Sequence, residues 1–270
     1  MTEILTVDAV DTAADRAVLA SLPRHFRRGP GDVHLVHSGE SGWADRLAGV
    51  IRGGARGALL TGAGTAEPDV PAALAVLTVL AELAELAASS GVPVVVDVRF
   101  GHDPTWAAAL PRISLAEVAI VDGLGHGGHP VDVLVGQLAL LRSLLPTGSA
   151  LRAAHRSATS YAVCGEIDGT VVNLAGAAAL PGAPPLRIQV AGLDCRWEAV
   201  FDDAAVATPT VVTRMDAAGS VTLPLVYEGS RRCAWRALHR AVVDRAPVRY
   251  GLAELLADRT LALDMLGGSP

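Results

Sequence analysis

The sequence predicts an α/β chain in two parts: a parallel, doubly wound sheet first, then an α+β part with a large antiparallel sheet. Three observations carry this. Strand and helix signals alternate through about residue 121, the pattern of a parallel sheet with helices on its faces. Val92–Val98 is a dense β-branched run, as in strands buried on both sides. After Gly128 and one further helix, strand signals follow one another with turn residues between them.

Taken in order, Ile4–Val7 reads as a strand and 11–22 has helical spacing. Arg24–Asp32 is a polar, glycine-containing connection. Val33–Val36 is a strand, Trp43–Ile51 a helix and Ala58–Thr61 a third strand. A long helix covers 70–88, the strand 92–98 follows, 102–110 is a short helix, and Val118–Val121 is a further strand of the first sheet. Beyond the junction a helix spans 131–145. Strands are expected at 150–167, 170–177, 186–192, 195–201, 210–215 and 220–227, and helices at 229–244 and 251–266. The turns include Asp168-Gly169, Pro181-Gly182 and Ala218-Gly219. The expected domains are 1–125 and 126–270.

Composition narrows the function classes. The chain has 270 residues, 51% hydrophobic and only 4% aromatic, so small and branched aliphatics build its cores. Mean hydropathy is +0.39, yet the longest apolar stretch carries Glu82 and Glu85 and ends in Ser89-Ser90-Gly91, which fits a buried helix rather than a membrane span. The acidic start MTEILTVDAVD lacks the basic opening of a signal peptide. Cys164, Cys195 and Cys233 are far apart, which predicts neither a disulfide framework nor a metal cluster and points to a reducing cytoplasm. Net charge is −6 with no block of like charge, so no nucleic-acid partner is expected. All 22 basic residues are arginine, so no lysine is present to act as a general acid, a Schiff base or a phosphate anchor.

Two segments resemble a known family. Gly125-His126-Gly127-Gly128-His129-Pro130-Val131-Asp132-Val133-Leu134 is similar to the G-x-x-x-H-x-x-D-x-L segment of the Gfo/Idh/MocA oxidoreductases. Val226-Tyr227-Glu228-Gly229-Ser230 through Trp235, with His239 and Tyr250-Gly251-Leu252, resembles that family's closing helices. The resemblance implies a Rossmann-like domain followed by an antiparallel-sheet domain. It implies a small-molecule substrate, typically a sugar or cyclitol, held between the domains and a nicotinamide as redox cofactor, and it implies pairing of two chains.

The departures are as informative as the matches. No G-x-G-x-x-G follows the first strand: Leu5-Thr6-Val7 runs into Asp8-Ala9-Val10-Asp11-Thr12, where Asp8 and Asp11 would face a phosphate with like charge. The glycines of Gly62-Ala63-Gly64-Thr65-Ala66-Glu67 read as an ordinary strand-to-helix turn. Where the family has E-K-P, this chain has Asp97-Val98-Arg99; arginine can bind an anion but is a poor proton donor. The family's aspartate four residues before the motif histidine is replaced by Gly125.

Histidines are therefore the expected proton carriers. The candidate catalytic residues are His129, His126 and Asp132, the last one helical turn beyond His129 and able to orient it or to lie in the first turn of the helix. His126 and His129 have a spacing that suits a metal on a helix face, but the intervening glycines argue for a loop, and no metal is expected. Arg99 and His102 follow the strongest strand, where ligands bind in this architecture, and are candidate substrate-binding residues. Asp103 there reads as a helix cap. His155 and Tyr161, read as lying on one strand and sharing a face, are further candidates for binding. Trp197, Trp235 and Tyr227 read as packing residues.

The leading reading is a small-molecule enzyme that has left redox chemistry for cyclisation, isomerisation, elimination or hydrolysis, with secondary metabolism as its setting, no cofactor and a histidine acid/base between the domains. One alternative is an NAD(P)-dependent oxidoreductase with an atypical phosphate loop. The other is a non-catalytic accessory or binding subunit. A homodimer through the antiparallel sheet is expected, because strands such as Leu186–Val190 and Val221–Leu225 alternate only partly.

Overall fold

A computed structural model describes residues 3–8, 12–62, 70–114, 117–146, 150–177, 185–202 and 208–267. Asp11, Gly64, Glu67 and the Pro181-Gly182 turn lie outside the described residues. The chain divides into two compact units, Met1–His102 with Ser230–Ala257, and Asp103–Gly229 with Asp258–Pro270. The junction expected after Gly125 falls inside a strand of the second unit.

The first unit is built on five parallel strands: β1 (Leu5–Asp8), β2 (Phe26–Arg28), β3 (Val33–His37), β4 (Gly57–Thr61) and β5 (Val94–Val96), in the order β2-β1-β3-β4-β5. Its helices are α1 (Ala13–Ala20), α2 (Trp43–Arg52), α3 (Val70–Ser90) and α6 (Ser230–Val243). Alternation along the strands sends Leu5, Val7, Val33, Leu35, Leu59 and Val95 into one core with Leu19 of α1 and Ala234, Trp235 and Leu238 of α6. Val36, Leu60, Val94 and Val96 are also buried, and their parity turns them to the other face; α2 packs against β3 and β4.

The stretch expected to be a polar connection instead contains the edge strand β2. The chain then crosses β1 in four residues, 29–32, to reach β3 on the other side. Asp32 clips that crossing: its Oδ2 accepts the Thr6 backbone N–H at 2.8 Å and the Thr6 hydroxyl at 2.7 Å. Those bonds hold the Asp32 carboxyl below the usual carboxylate range.

The second unit carries an eight-stranded sheet: β6 (Val118–His126), β7 (Arg152–Arg156), β8 (Ser160–Ile167), β9 (Thr170–Ala177), β10 (Leu186–Gly192), β11 (Cys195–Phe201), β12 (Val211–Asp216) and β13 (Gly219–Thr222). Its order is β13-β12-β11-β10-β6-β9-β8-β7. Every neighbouring pair is antiparallel except β6 and β9, which run parallel. Val118–Val121, expected in the first sheet, thus belongs to the second. The Asp97–His102 loop and the helix α4 (Pro104–Ala109) separate it from β5, and as a parallel neighbour of β9 it needs no hairpin. Asp103 caps α4 through the Trp106 N–H at 2.8 Å, and its other oxygen accepts the Thr210 hydroxyl at 2.5 Å. The remaining helices are α5 (Pro130–Leu141) and α7 (Leu252–Leu266).

α5 packs on β6 and β9 and is buried at every position but Asp132, as befits a helix apolar all round. Glycines let it sit close: a Cβ on Gly125 would lie 2.4 Å from Val133 Cγ1. A side chain at position 125 would have to push the Val133 side chain aside and crowd the Gln137 amide. Of the aromatics expected to pack, Trp197 and Trp235 are buried, but Tyr227 is 71% exposed. It lies in the irregular segment after β13, where no second layer covers it. Among the described residues, no helix is long and apolar enough to cross a membrane.

Candidate functional site

In the first unit, the carboxyl ends of the parallel strands bring polar side chains from five segments into one network. His37, ending β3, places Nδ1 2.7 Å from the Thr61 hydroxyl at the end of β4. Its Nε2 lies 3.5 Å from Asp15 Oδ2. Asp15 is fully buried in the first turn of α1. Arg231, in the first turn of α6, reaches Asp15 Oδ1 at 3.5 Å and Asp97 Oδ2 at 3.0 Å through Nη1 and Nε. Burial pushes the Asp97 carboxyl upward, against the opposing pull of Arg231 and His102. His102 closes the row. Its Nε2 lies 2.9 Å from the Val96 carbonyl, which fixes the proton on that nitrogen, and its backbone N–H reaches Ser230 Oγ at 3.2 Å. Burial lowers the His102 imidazole below its ordinary range, opposed by the Val96 carbonyl and Asp97.

This edge is where a dinucleotide lies in a doubly wound sheet, with the pyrophosphate at the helix that follows the first strand. Here that helix end is already served by its own chain. Thr12 Oγ1 accepts the Asp15 backbone N–H at 3.1 Å, and the Thr12 hydroxyl bonds the Asp15 carboxylate in return, a reciprocal cap. The position expected to hold the family lysine is Val98, which is buried. Arg99 is exposed, with its guanidinium carbon 5.1 Å from the centroid of the Phe100 ring.

The second constellation opens α5. His126 ends β6 with its ring buried, and its backbone N–H donates to the Pro185 carbonyl at 2.7 Å. Gly127 and Gly128 have φ of 107° and 70°, which turn the chain as only glycine does comfortably. His129 follows as the N-cap of α5. Its Nδ1 accepts the Val131 N–H at 3.3 Å while the ring stays exposed. The neutral ring must therefore carry its proton on Nε2, the atom left for a ligand. Asp132 is half-buried one turn along, and its backbone N–H bonds the His129 carbonyl at 3.0 Å.

His155 and Tyr161 are not brought together. The stretch 150–167 is a hairpin, β7 and β8, rather than one strand, so counting parity along it fails. His155 pairs with Ala162 and Arg156 with Tyr161, which puts His155 and Tyr161 on opposite faces. His155 is exposed, 3.3 Å from Ser160 Oγ. Tyr161 is buried under α5 and donates its hydroxyl to Gln137 Oε1 at 2.6 Å, while Gln137 Nε2 donates to the Ala175 carbonyl at 2.8 Å. Burial raises the phenol well above its ordinary range. Tyr161 is a core residue here.

Sequence reasoning passed over Asp15, His37, Thr61 and Arg231. His37 and Thr61 were accessible to the rule that ligand residues follow the carboxyl ends of parallel strands. Asp15 was hidden in ordinary helical spacing, and Arg231 had no local signal, because its partners lie 216 and 134 residues away in sequence.

No family model and no curated protein matches the chain. Solved structures do, along nearly its whole length. A putative dehydrogenase from Bordetella bronchiseptica RB50 superposes with a TM-score of 0.73 at 11% identity, covering 97% of this chain and 96% of that one. The UDP-N-acetylglucosamine 3-dehydrogenase GnnA from Acidithiobacillus ferrooxidans gives 0.69 at 12%, covering 98% and 97%. Gal80p from Saccharomyces cerevisiae, solved as a super-repressor mutant, gives 0.72 at 8%, covering 98% and 95%. With a five-stranded parallel sheet joined to a large, mostly antiparallel one, the chain has the fold of the Gfo/Idh/MocA-type oxidoreductases.

Proposed function

We propose that this chain is a small-molecule enzyme on an oxidoreductase fold that works without a nicotinamide. One observation carries the reading: two carboxylates, Asp15 and Asp97, share Arg231 at the strand edge where a dinucleotide would place its phosphates. The residues there do not fit that cofactor. The first helix offers a self-capped end with a buried carboxylate, and Asp8, exposed at the end of β1, adds like charge.

The chemistry left to the chain is proton transfer and hydrogen bonding to substrate. His129 presents Nε2–H from a capping ring, the geometry of a donor to a carbonyl or leaving-group oxygen, with His126 ending β6 before it and Asp132 one turn into α5 after it. Such a set suits a non-redox step: elimination, isomerisation, cyclisation or hydrolysis. We further propose that two copies pair through the uncovered face of the eight-stranded sheet.

The test is calorimetric titration of the full chain with NADH and with NADPH. No saturation in the micromolar range is expected for either. Stoichiometric micromolar binding of one of them would return the protein to redox chemistry. The Gal80p likeness favours one second reading, a non-catalytic binding protein, because that neighbour is named for a super-repressor mutant.

A further inference from the structure

The arginines are unevenly spread. Residues 24–28 and 230–249 hold nine of them against one acidic residue, Asp244, a surplus of eight positive charges. The rest of the chain has 13 arginines against 27 acidic residues, a deficit of 14. Folding brings the two basic segments together. The Phe26 ring of β2 packs edge-on against Trp235 at 5.1 Å and His239 at 5.6 Å, both on α6. Arg231 is matched by Asp15 and Asp97; the rest of the surplus, on an acidic protein, makes a local positive field.

Between the segments lies a groove of about 670 Å³ lined by Glu3, His25, Arg236, His239, Arg240 and Asp244. Glu3 precedes β1 and His25 precedes β2, so the groove is at the amino ends of the strands, away from the carboxyl-edge network. The His25 and His239 rings meet edge-on at 4.9 Å. His239 donates Nε2–H to the Glu3 carbonyl at 2.8 Å. The Glu3 carboxylate is held by Arg56 at 2.5 and 3.3 Å, so its charge is already matched. His25 Nδ1 is enclosed with no hydrogen-bond partner among the described residues. Burial lowers the His25 imidazole below its ordinary range, and His239, Arg236, Arg232 and Arg24 add to it.

We propose that this groove is a ligand site for a small phosphate ester. Arg236 and Arg240 stand one turn apart on the exposed side of α6, close enough for two guanidinium groups to hold one phosphate. Asp244 continues the same row one turn on. It is an acceptor for a ligand hydroxyl, and its charge opposes a long polyanion that would track past it. A compact phosphorylated alcohol or sugar satisfies both ends, whereas a nucleic-acid strand satisfies only the arginines.

The site is tested on the full chain with carbon-labelled histidine rings, followed by NMR at constant ionic strength. The probes are inorganic phosphate, glucose 6-phosphate, chloride and a short single-stranded oligonucleotide. The His25 and His239 ring signals are expected to move saturably with both phosphates, and glucose 6-phosphate should bind more tightly. Arg240→Gln and Arg236→Gln should each weaken that binding about tenfold at an unchanged melting temperature. Shifts that chloride reproduces would reduce the groove to general screening and overturn the proposal. So would affinity untouched by both arginine variants, or an oligonucleotide that binds more tightly than the phosphates. Because phosphate binding in the groove and nucleotide binding are read by different titrations, failure of this site leaves the reading without a nicotinamide intact, and the reverse also holds.

Discussion

The function proposed for His129 asks for two jobs from two nitrogens. Nδ1 caps α5, and Nε2–H is free to meet a substrate. A variant can separate them. Asparagine is a good N-cap but cannot exchange a proton near neutral pH, so His129→Asn is expected to keep the melting temperature while turnover falls by about 10² to 10⁴. Asp132→Asn should cost less. Near wild-type turnover in a folded His129→Asn protein, measured on the substrate once screening finds it, would remove His129 from the mechanism. This turn was legible in sequence because glycine, histidine, proline and aspartate together specify a loop entering a helix. His155 and Tyr161 were misread for a related reason: Ser157-Ala158-Thr159 is a weak turn signal, so a hairpin passed for one strand and the parity inverted. The role of Gly125 was invisible, because what excludes a side chain there is Val133, across the α5 packing contact.

Among the elements, periodic ones were readable and short ones were not. The helices α2, α5 and α6 and the strands β9, β10 and β11 match their sequence signals within a few residues. β2 was missed because three residues, two of them arginine, carry no strand pattern, and edge strands often carry charge. The carboxyl-edge network has a measurable pH signature. His102 is held neutral by burial, with Arg240 and Arg249 reinforcing the effect, so its folded pKa lies below its unfolded one. The folded chain then binds fewer protons, and the contribution is complete above the ordinary histidine range and lost as pH falls through it. Asp97 works in the opposite sense, its raised carboxyl favouring the proton-bound fold at low pH. The useful quantity is therefore the difference between the native chain and His102→Asn. The native melting temperature should fall more steeply between about pH 7 and pH 5, and parallel curves would show that His102 does not titrate on unfolding.

For the whole molecule, the proposed pairing of two copies rests on the exposed face of the eight-stranded sheet. It presents Ile120, Leu124, Val171 and Val211, each 39–44% exposed, around an Asp122–Asn173 hydrogen bond of 2.9 Å and an Arg187–Glu198 ion pair of 2.9 Å. Light scattering at micromolar concentration should give twice the chain mass of 27.7 kDa, and Leu124→Arg should give the single mass; a monomeric native chain would end the dimer reading. The order in which the two units can be completed follows from α6. The first sheet is encoded by residue 96, yet the helix whose Trp235 and Leu238 close its core comes far later, and Asp97 waits 134 residues for Arg231. At typical synthesis rates that interval is roughly 7 to 27 s. During it the β1–β5 sheet is made but lacks its α6 cover, while the whole of β6 to β13 emerges and can pair. The unit begun first thus waits for Ser230–Ala257, near the end of the chain, before its core can close, and until then its apolar strands lack that cover.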